Sequence, residues 1–186
     1  MQNKKILITG YSQCGKSSIV NRLVNNRFHH SYSEDNQLCI ARKELAINKR
    51  KVNLVIWTAP GSVSNLKSFK SYYLGTDALI HVVDVNKPST FSDLDAWISH
   101  YQKFLPGTPV YLTCNKIESN INLDCSDFFT QFDCYRTFFT SAKNNFMITE
   151  MFQTIAADLL SEPFYQKIKI YWYEKRSQQK PDYNFW

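Results

Sequence analysis

The chain has 186 residues, 44% hydrophobic and 20% charged, with 22 Lys and Arg against 16 Asp and Glu for a net charge of +6. At roughly 150 residues per domain this is one domain with its own core, and 13 Phe, 11 Tyr and 4 Trp exclude a solvated, disordered chain. The longest apolar run, residues 78–85, is far short of the roughly 20 residues of a membrane span, no signal-peptide pattern precedes the first strand, and the moderate positive charge accommodates an anionic ligand without calling for nucleic acid.

Residues 5–9 (Lys-Ile-Leu-Ile-Thr) predict a short buried strand, residues 10–15 a loop, and residues 17–26 a helix with Ile19, Val20, Leu23 and Val24 on one face. Residues 38–47 and 52–57 predict two antiparallel strands joined by the polar turn Asn48-Lys49-Arg50-Lys51. Pro60 and Gly61 break the chain, and a short helix is expected over residues 66–74. The continuous apolar run 78–85 has the pattern of a parallel strand buried on both faces. Lys87-Pro88-Ser89-Thr90 opens a helix expected to run to about Phe104, with proline near its start, where it is tolerated. Residues 110–114 and 138–140 predict two more strands, and residues 148–160 a last helix. The expected fold class is α/β: a mostly parallel sheet of six strands, one of them antiparallel, with helices on both faces. Phe128, Phe129 and Phe132 lie at helical spacing and are read as a core face. The five cysteines (Cys14, Cys39, Cys114, Cys125, Cys134) have no CxxC spacing, so neither a zinc site nor a disulfide framework is expected, and a reducing, cytoplasmic setting is.

The sharpest motif is Gly10-Tyr11-Ser12-Gln13-Cys14-Gly15-Lys16-Ser17, which matches G-x-x-x-x-G-K-[ST] between a predicted strand and a predicted helix. The glycines let the backbone wrap a phosphate, and the N–H groups through Ser18 at the helix start face negative charge. Lys16 would reach the terminal phosphates, and the Ser17 hydroxyl would bind Mg²⁺. Asn115-Lys116-Ile117-Glu118 and Ser141-Ala142-Lys143 follow two further strands. Ligands of open α/β sheets bind beyond the carboxyl ends of strands, so these three loops converge on one crevice.

With these motifs on one chain, residues 4–161 resemble the Ras-like small GTPases, and most closely their Rab branch. The resemblance rests on the phosphate loop, Ile56-Trp57, Asn115-Lys116, and Ser141-Ala142-Lys143-Asn144-Asn145 running into Glu150-Met151-Phe152. It implies a P-loop small-GTPase fold over residues 1–161, with residues 162–186 as a C-terminal extension. It places Phe28 against the guanine edge, Asn115 and Lys116 at the base and ribose, and the Ala142 N–H at the guanine carbonyl, with Ser141 and Lys143 beside it. It implies a GTP/GDP-controlled switch whose effectors and regulators read residues 29–47 and 58–75.

The chain departs from the family where catalysis is concentrated. Trp57-Thr58-Ala59-Pro60-Gly61 stands where the family has Trp-Asp-Thr-Ala-Gly. Aligning on Trp57 and Gly61 puts Thr58 at the acid that anchors the Mg²⁺ water shell; deleting one residue instead puts Pro60 at the glycine. Both lose the acid, and the first alignment is preferred because it keeps Gly61, whose N–H would sense the γ-phosphate. Ser62 replaces the water-orienting Gln and is too short to span its distance. Asp35 replaces the Thr of the first switch; as a hard oxygen donor it is a candidate Mg²⁺ ligand. Glu118 replaces the base-reading Asp with one extra methylene. The catalytic set is therefore Lys16, Gly61 and the degenerate Ser62, and Mg²⁺ binding is weakened. A slow GTPase is expected, because catalysis in this class is mostly positioning and electrostatics. The alternative is a scaffold that binds nucleotide structurally or not at all.

The segment from Asn115 to Ser141 is short for the family. The extension carries Phe164, Tyr165, Tyr171, Trp172, Tyr173, Tyr183, Phe185 and Trp186 among five bases. Packing on its own domain, a partner surface and an anionic membrane surface all suit it. No cysteine follows Cys134, so the prenyl anchor usual in the Rab branch is not expected. Peripheral membrane contact would come through partners.

Overall fold

The computed structural model describes residues 1–29, 37–61, 70–119 and 132–161. Asp35, Ser62, Cys125, Phe128, Phe129, the start of the helix expected over residues 66–74, and the extension 162–186 lie outside the described residues.

Six strands form one sheet: β1 (Gln2–Thr9), β2 (Cys39–Ile47), β3 (Arg50–Thr58), β4 (Ala78–Asp84), β5 (Val110–Asn115) and β6 (Arg136–Thr140), in the order β2-β3-β1-β4-β5-β6. The edge pair β2–β3 is antiparallel, with Ile40 opposite Trp57 and Leu45 opposite Val52; every other pair is parallel. The hairpin turn is shorter than expected. Asn48 (φ 47°) and Lys49 (φ 65°) alone make it, and Arg50 and Lys51 already belong to β3. Two successive left-handed residues give the turn whose twist matches the flanking strands. β1 starts three residues earlier than predicted and pairs from Gln2.

Side chains alternate across the sheet, and each face meets helices. Ile6, Ile8, Ile80, Val82 and Tyr111 face α1 (Lys16–Asn25) and α4 (Ile148–Leu160). The α4 stripe of Ile148, Met151, Phe152, Ile155, Ala156 and Leu159 keeps helical spacing, which is why its limits were legible to the residue. Leu7, Leu79 and Val110 face α2 (Lys70–Tyr73) and α3 (Leu94–Phe104) through Tyr73, Trp97 and Tyr101. All seven residues of β4 are buried, as expected of a central parallel strand.

The helix expected to begin at Lys87 is interrupted. Pro88–Thr90 is a single 3₁₀ turn, Phe91 leaves the helical region at φ −136°, and α3 begins only at Leu94. The Thr90 hydroxyl donates to the Lys87 carbonyl at 2.7 Å and accepts the Asp84 N–H at 3.0 Å. The turn is thereby fastened to the end of β4 instead of extending the helix.

Candidate functional site

β1 delivers the phosphate loop. Its last residue, Thr9, is buried, and the chain then turns through Gly10 at φ 131°. Gly15, at φ 100°, precedes α1, and a Cβ there would lie 2.2 Å from the Asn115 amide nitrogen, so only glycine fits. Lys16 is 2% exposed. Its ammonium donates to the carbonyls of Gly10 (3.0 Å) and Tyr11 (2.8 Å), which holds it across the loop with donor capacity left for an anion. Ser17 and Ser18 occupy the first turn of α1, half-buried. Cys14 is fully buried, and burial pushes its thiol pKa up, so it packs rather than reacts.

Asn115 joins the three loops. Its amide donates to the Cys14 carbonyl (3.0 Å), while its side-chain oxygen accepts the Thr140 hydroxyl (3.2 Å) and the Ala142 N–H (3.3 Å). Lys116, at φ 68°, donates to the Gln13 carbonyl (2.7 Å) and pairs with Asp84 at 2.8 Å. Ser141 accepts the Asn144 N–H at 2.9 Å, closing the turn that carries Ala142 and Lys143. Glu118 lies in a 3₁₀ turn (Ile117–Ser119), and its Oε2 is buried with no hydrogen-bond partner. A buried carboxylate oxygen left unmatched is costly unless something else supplies the donor. Phe28, half-buried against the core, lines a groove of about 510 Å³ with Arg22, Asn26, Arg27, His29, Lys143 and Asn144.

The loop after β3 rests on this cradle. Ala59 continues the β1 ladder through its N–H to Ile8, and the Gly61 carbonyl accepts the Ser12 N–H at 3.1 Å. A Cβ on Gly61 would lie 2.4 Å from the Ser12 Cα.

A family model described as the Ras family matches residues 5–161. The chain belongs to the Ras family. Among its relatives is the Ras-related protein Rab7 of Drosophila melanogaster, 29% identical over 165 residues, which cover 84% of this chain and 80% of the relative. The Ras-related protein RABG3a of Arabidopsis thaliana is 30% identical over 176 residues (88% and 85%), and the Ypt/Rab-type GTPase Rab7 of Gibberella zeae 27% over 169 (85% and 82%). The protein is accordingly Rab-like, with the mostly parallel six-stranded fold of the Ras-family GTPases.

In this Rab-like chain Gly10, Gln13, Cys14, Lys16, Asn115, Lys116 and Ala142 are joined by hydrogen bonds, with Gly15 packed close to Asn115, whereas Ser12 bonds to Gly61 and Ser141 to Asn144 and Phe146. Thr58 ends β3, 4% exposed, with a neutral hydroxyl where the resemblance places an acid. The family binds its nucleotide with Mg²⁺, and the described residues fit a metal held mainly by phosphate oxygens, which hard cations prefer. Ser17, in the first turn of α1, is the residue the phosphate-loop motif assigns to such a metal, and no cluster of three His, Cys, Asp or Glu side chains occurs among the described residues.

Residue-by-residue reading of the sequence misses three supports. Arg22 donates to the carbonyls of Ala142 and Lys143, each at 3.0 Å, and so steadies the third loop from α1. Asp84 partners Lys116. Tyr11 reaches Asp93 at the start of α3. Only Asp84 left a trace, as a carboxylate ending an otherwise apolar strand with His81 in its middle.

Proposed function

We propose that the protein is a Rab-like guanine-nucleotide switch with slow intrinsic GTP hydrolysis. Phosphates lie on the backbone of residues 10–18, with Lys16 across them and Ser17 on the metal. The base lies against Phe28, with Asn115, Lys116 and Glu118 on its edges and the Ala142 N–H at its carbonyl. The observation that carries the reading is the Asn115 junction, whose side chain ties the phosphate loop to the Ala142 loop, with the Glu118 carboxylate three residues on. Guanine presents two neighbouring N–H donors, and adenine cannot offer that pair.

Slow turnover follows from chemistry. Thr58 supplies no charge to the metal's water shell, and Ser62 is too short to hold the attacking water. Asp35 is the one carboxylate proposed for the metal. Bound Mg²⁺ would neutralise charge developing on the transferred phosphoryl group. Partners would read residues 29–47 and 58–75, where Ile40 is 54% exposed opposite Trp57, and Trp57 meets Tyr72 edge-on at 6.5 Å. No helix among the described residues is long and apolar enough to cross a membrane, and association with membranes would come through partners. Residues 162–186 would form an extension beyond the nucleotide-binding domain of residues 1–161.

One observation favours a second reading, a binding module locked in one shape. The Gly61 loop is already closed on Ser12, and Pro60 stiffens it. Comparing partner binding in the GDP and GTP-analogue states separates the two, since only a switch distinguishes them, and a second experiment tests the site itself. Nucleotide is extracted from the purified protein and quantified, and GTP turnover is followed in a single cycle with Mg²⁺. Bound guanine nucleotide with turnover slower than an ordinary Rab is expected. A site that stays empty with added GTP and Mg²⁺ would overturn the switch.

A further inference from the structure

Three consecutive residues of the phosphate loop grip three different places. Ser12 binds the Gly61 carbonyl, whereas its two neighbours reach the segment that opens α3. The Tyr11 hydroxyl donates to Asp93 Oδ2, and its ring meets Trp97 edge-on at 6.3 Å. The Gln13 side-chain oxygen accepts the Lys87 ammonium at 3.2 Å.

Asp93 holds the N-cap position of α3, yet its side chain makes no capping bond. Aspartate there ordinarily accepts a free N–H of the first turn. Here the carboxylate takes the Tyr11 and Ser92 hydroxyls instead (Ser92 at 2.8 Å), and these bonds hold its pKa below the usual carboxylate range. The other anchor is equally fixed. Lys87 precedes Pro88, and its carbonyl is fastened by Thr90. Trp97 is 7% exposed within the core. Both tethers therefore end on exposed residues whose own carbonyls are bonded, Lys87 by Thr90 and Asp93 by the Trp97 N–H. Gln13 also holds a left-handed backbone at φ 65°, with its carbonyl on Lys116 and its side-chain oxygen on Lys87.

We propose that segment 87–93 sets how long nucleotide stays bound, with Tyr11 and Gln13 as positioning residues that tether the phosphate loop to it. This rests on the nucleotide-binding reading above. Releasing a phosphate requires the wrapped backbone to open. A loop tied at both residues keeps its N–H groups aimed and has less freedom to lose on binding. The effect belongs in the dissociation rate, where most differences in affinity between related complexes lie.

The test loads the purified protein with a fluorescent GDP analogue and chases it with unlabelled GDP. Tyr11→Phe and Asp93→Ala are each expected to release it about three- to ten-fold faster, the worth of one such bond. The double variant should be no faster than the faster single, because both remove the same tether. Asp93→Asn still accepts the tyrosine hydroxyl and should stay within about two-fold of the parent, a rescue that mere loss of structure would not give. Lys87→Met is exposed at the surface and tests the second tether in the same assay. Unchanged release in Tyr11→Phe, Asp93→Ala and Lys87→Met, or fully multiplicative rates in the double variant, would overturn the tether and leave nucleotide binding intact. A parent protein that takes up no analogue would remove the nucleotide reading itself, and the tether with it.

Discussion

Glu118 carries two opposed demands in one side chain. Its Oε2 is buried without a hydrogen-bond partner, and a buried acceptor without a donor costs about 1–3 kcal/mol. On the reading proposed above, the same oxygen would meet the N–H groups of a guanine edge. Glu118→Ala should therefore stabilise the nucleotide-free protein while lowering GDP affinity by roughly 10- to 100-fold, the worth of a charge-assisted bond. The preference for GDP over the inosine nucleotide, whose base lacks the 2-amino group, should narrow as well. Thermal melts of the empty protein and titrations with both diphosphates read the two effects. Equal losses for both nucleotides would mean that the carboxylate does not meet the 2-amino group.

At the scale of elements, the loop after β3 is held shut by close contact of two backbones. The Ser12 N–H to Gly61 bond exists because residue 61 has no Cβ: one would lie 2.5 Å from the Ser12 nitrogen. Gly61→Ala should lift the loop and speed hydrogen exchange at the Ser12 amide by roughly ten-fold, the loss of about one hydrogen bond. Unchanged protection would place the closure elsewhere. Elements whose cause is local were legible in the sequence. The stripe of α4, the apolar run of β4 and the glycine-lysine phosphate loop each carry their own periodicity or spacing. The interruption before α3 was not, since Pro88 suits a helix start as well as a 3₁₀ turn, and what decides is Thr90 bonding to β4. The Tyr11–Asp93 and Arg22–Ala142 contacts span 82 and 120 positions and leave no local pattern to read.

Across the molecule, a polar core lies under the phosphate loop. His81 in β4 is completely buried; its Nδ1 is 2.9 Å from the Tyr101 hydroxyl and 3.2 Å from Thr9 Oγ1, and its Nε2 has no partner. Burial first, and then the Lys16 charge, pushes its pKa down from 6.5 to about 3. The folded state thus keeps the ring neutral, whereas the unfolded chain protonates it near pH 6.5. The stability from that difference is complete above about pH 6.5 and is lost as pH falls toward 3, by up to about 1.4 kcal/mol per unit. Denaturant melts of the parent and His81→Leu at pH 7 and pH 5 should show the variant losing about 2 kcal/mol less over that interval. Parallel losses would assign the acid sensitivity to other groups.

Asn115 also bears on biosynthesis. Its partners stand 101 residues before it and 25 and 27 residues after it. On a ribosome adding roughly 5–20 residues per second, the phosphate loop emerges about 6–25 seconds before Ala142. Asn115, which pins the Cys14 carbonyl, follows the loop by about 5–20 seconds, and for the whole interval to Ala142 the loop that would meet the base has not been made. On the reading proposed above, nucleotide capture would therefore wait until β6 and the Ala142 loop have been made, and a chain stopping short of β6 would hold the phosphate loop without its base-side partners.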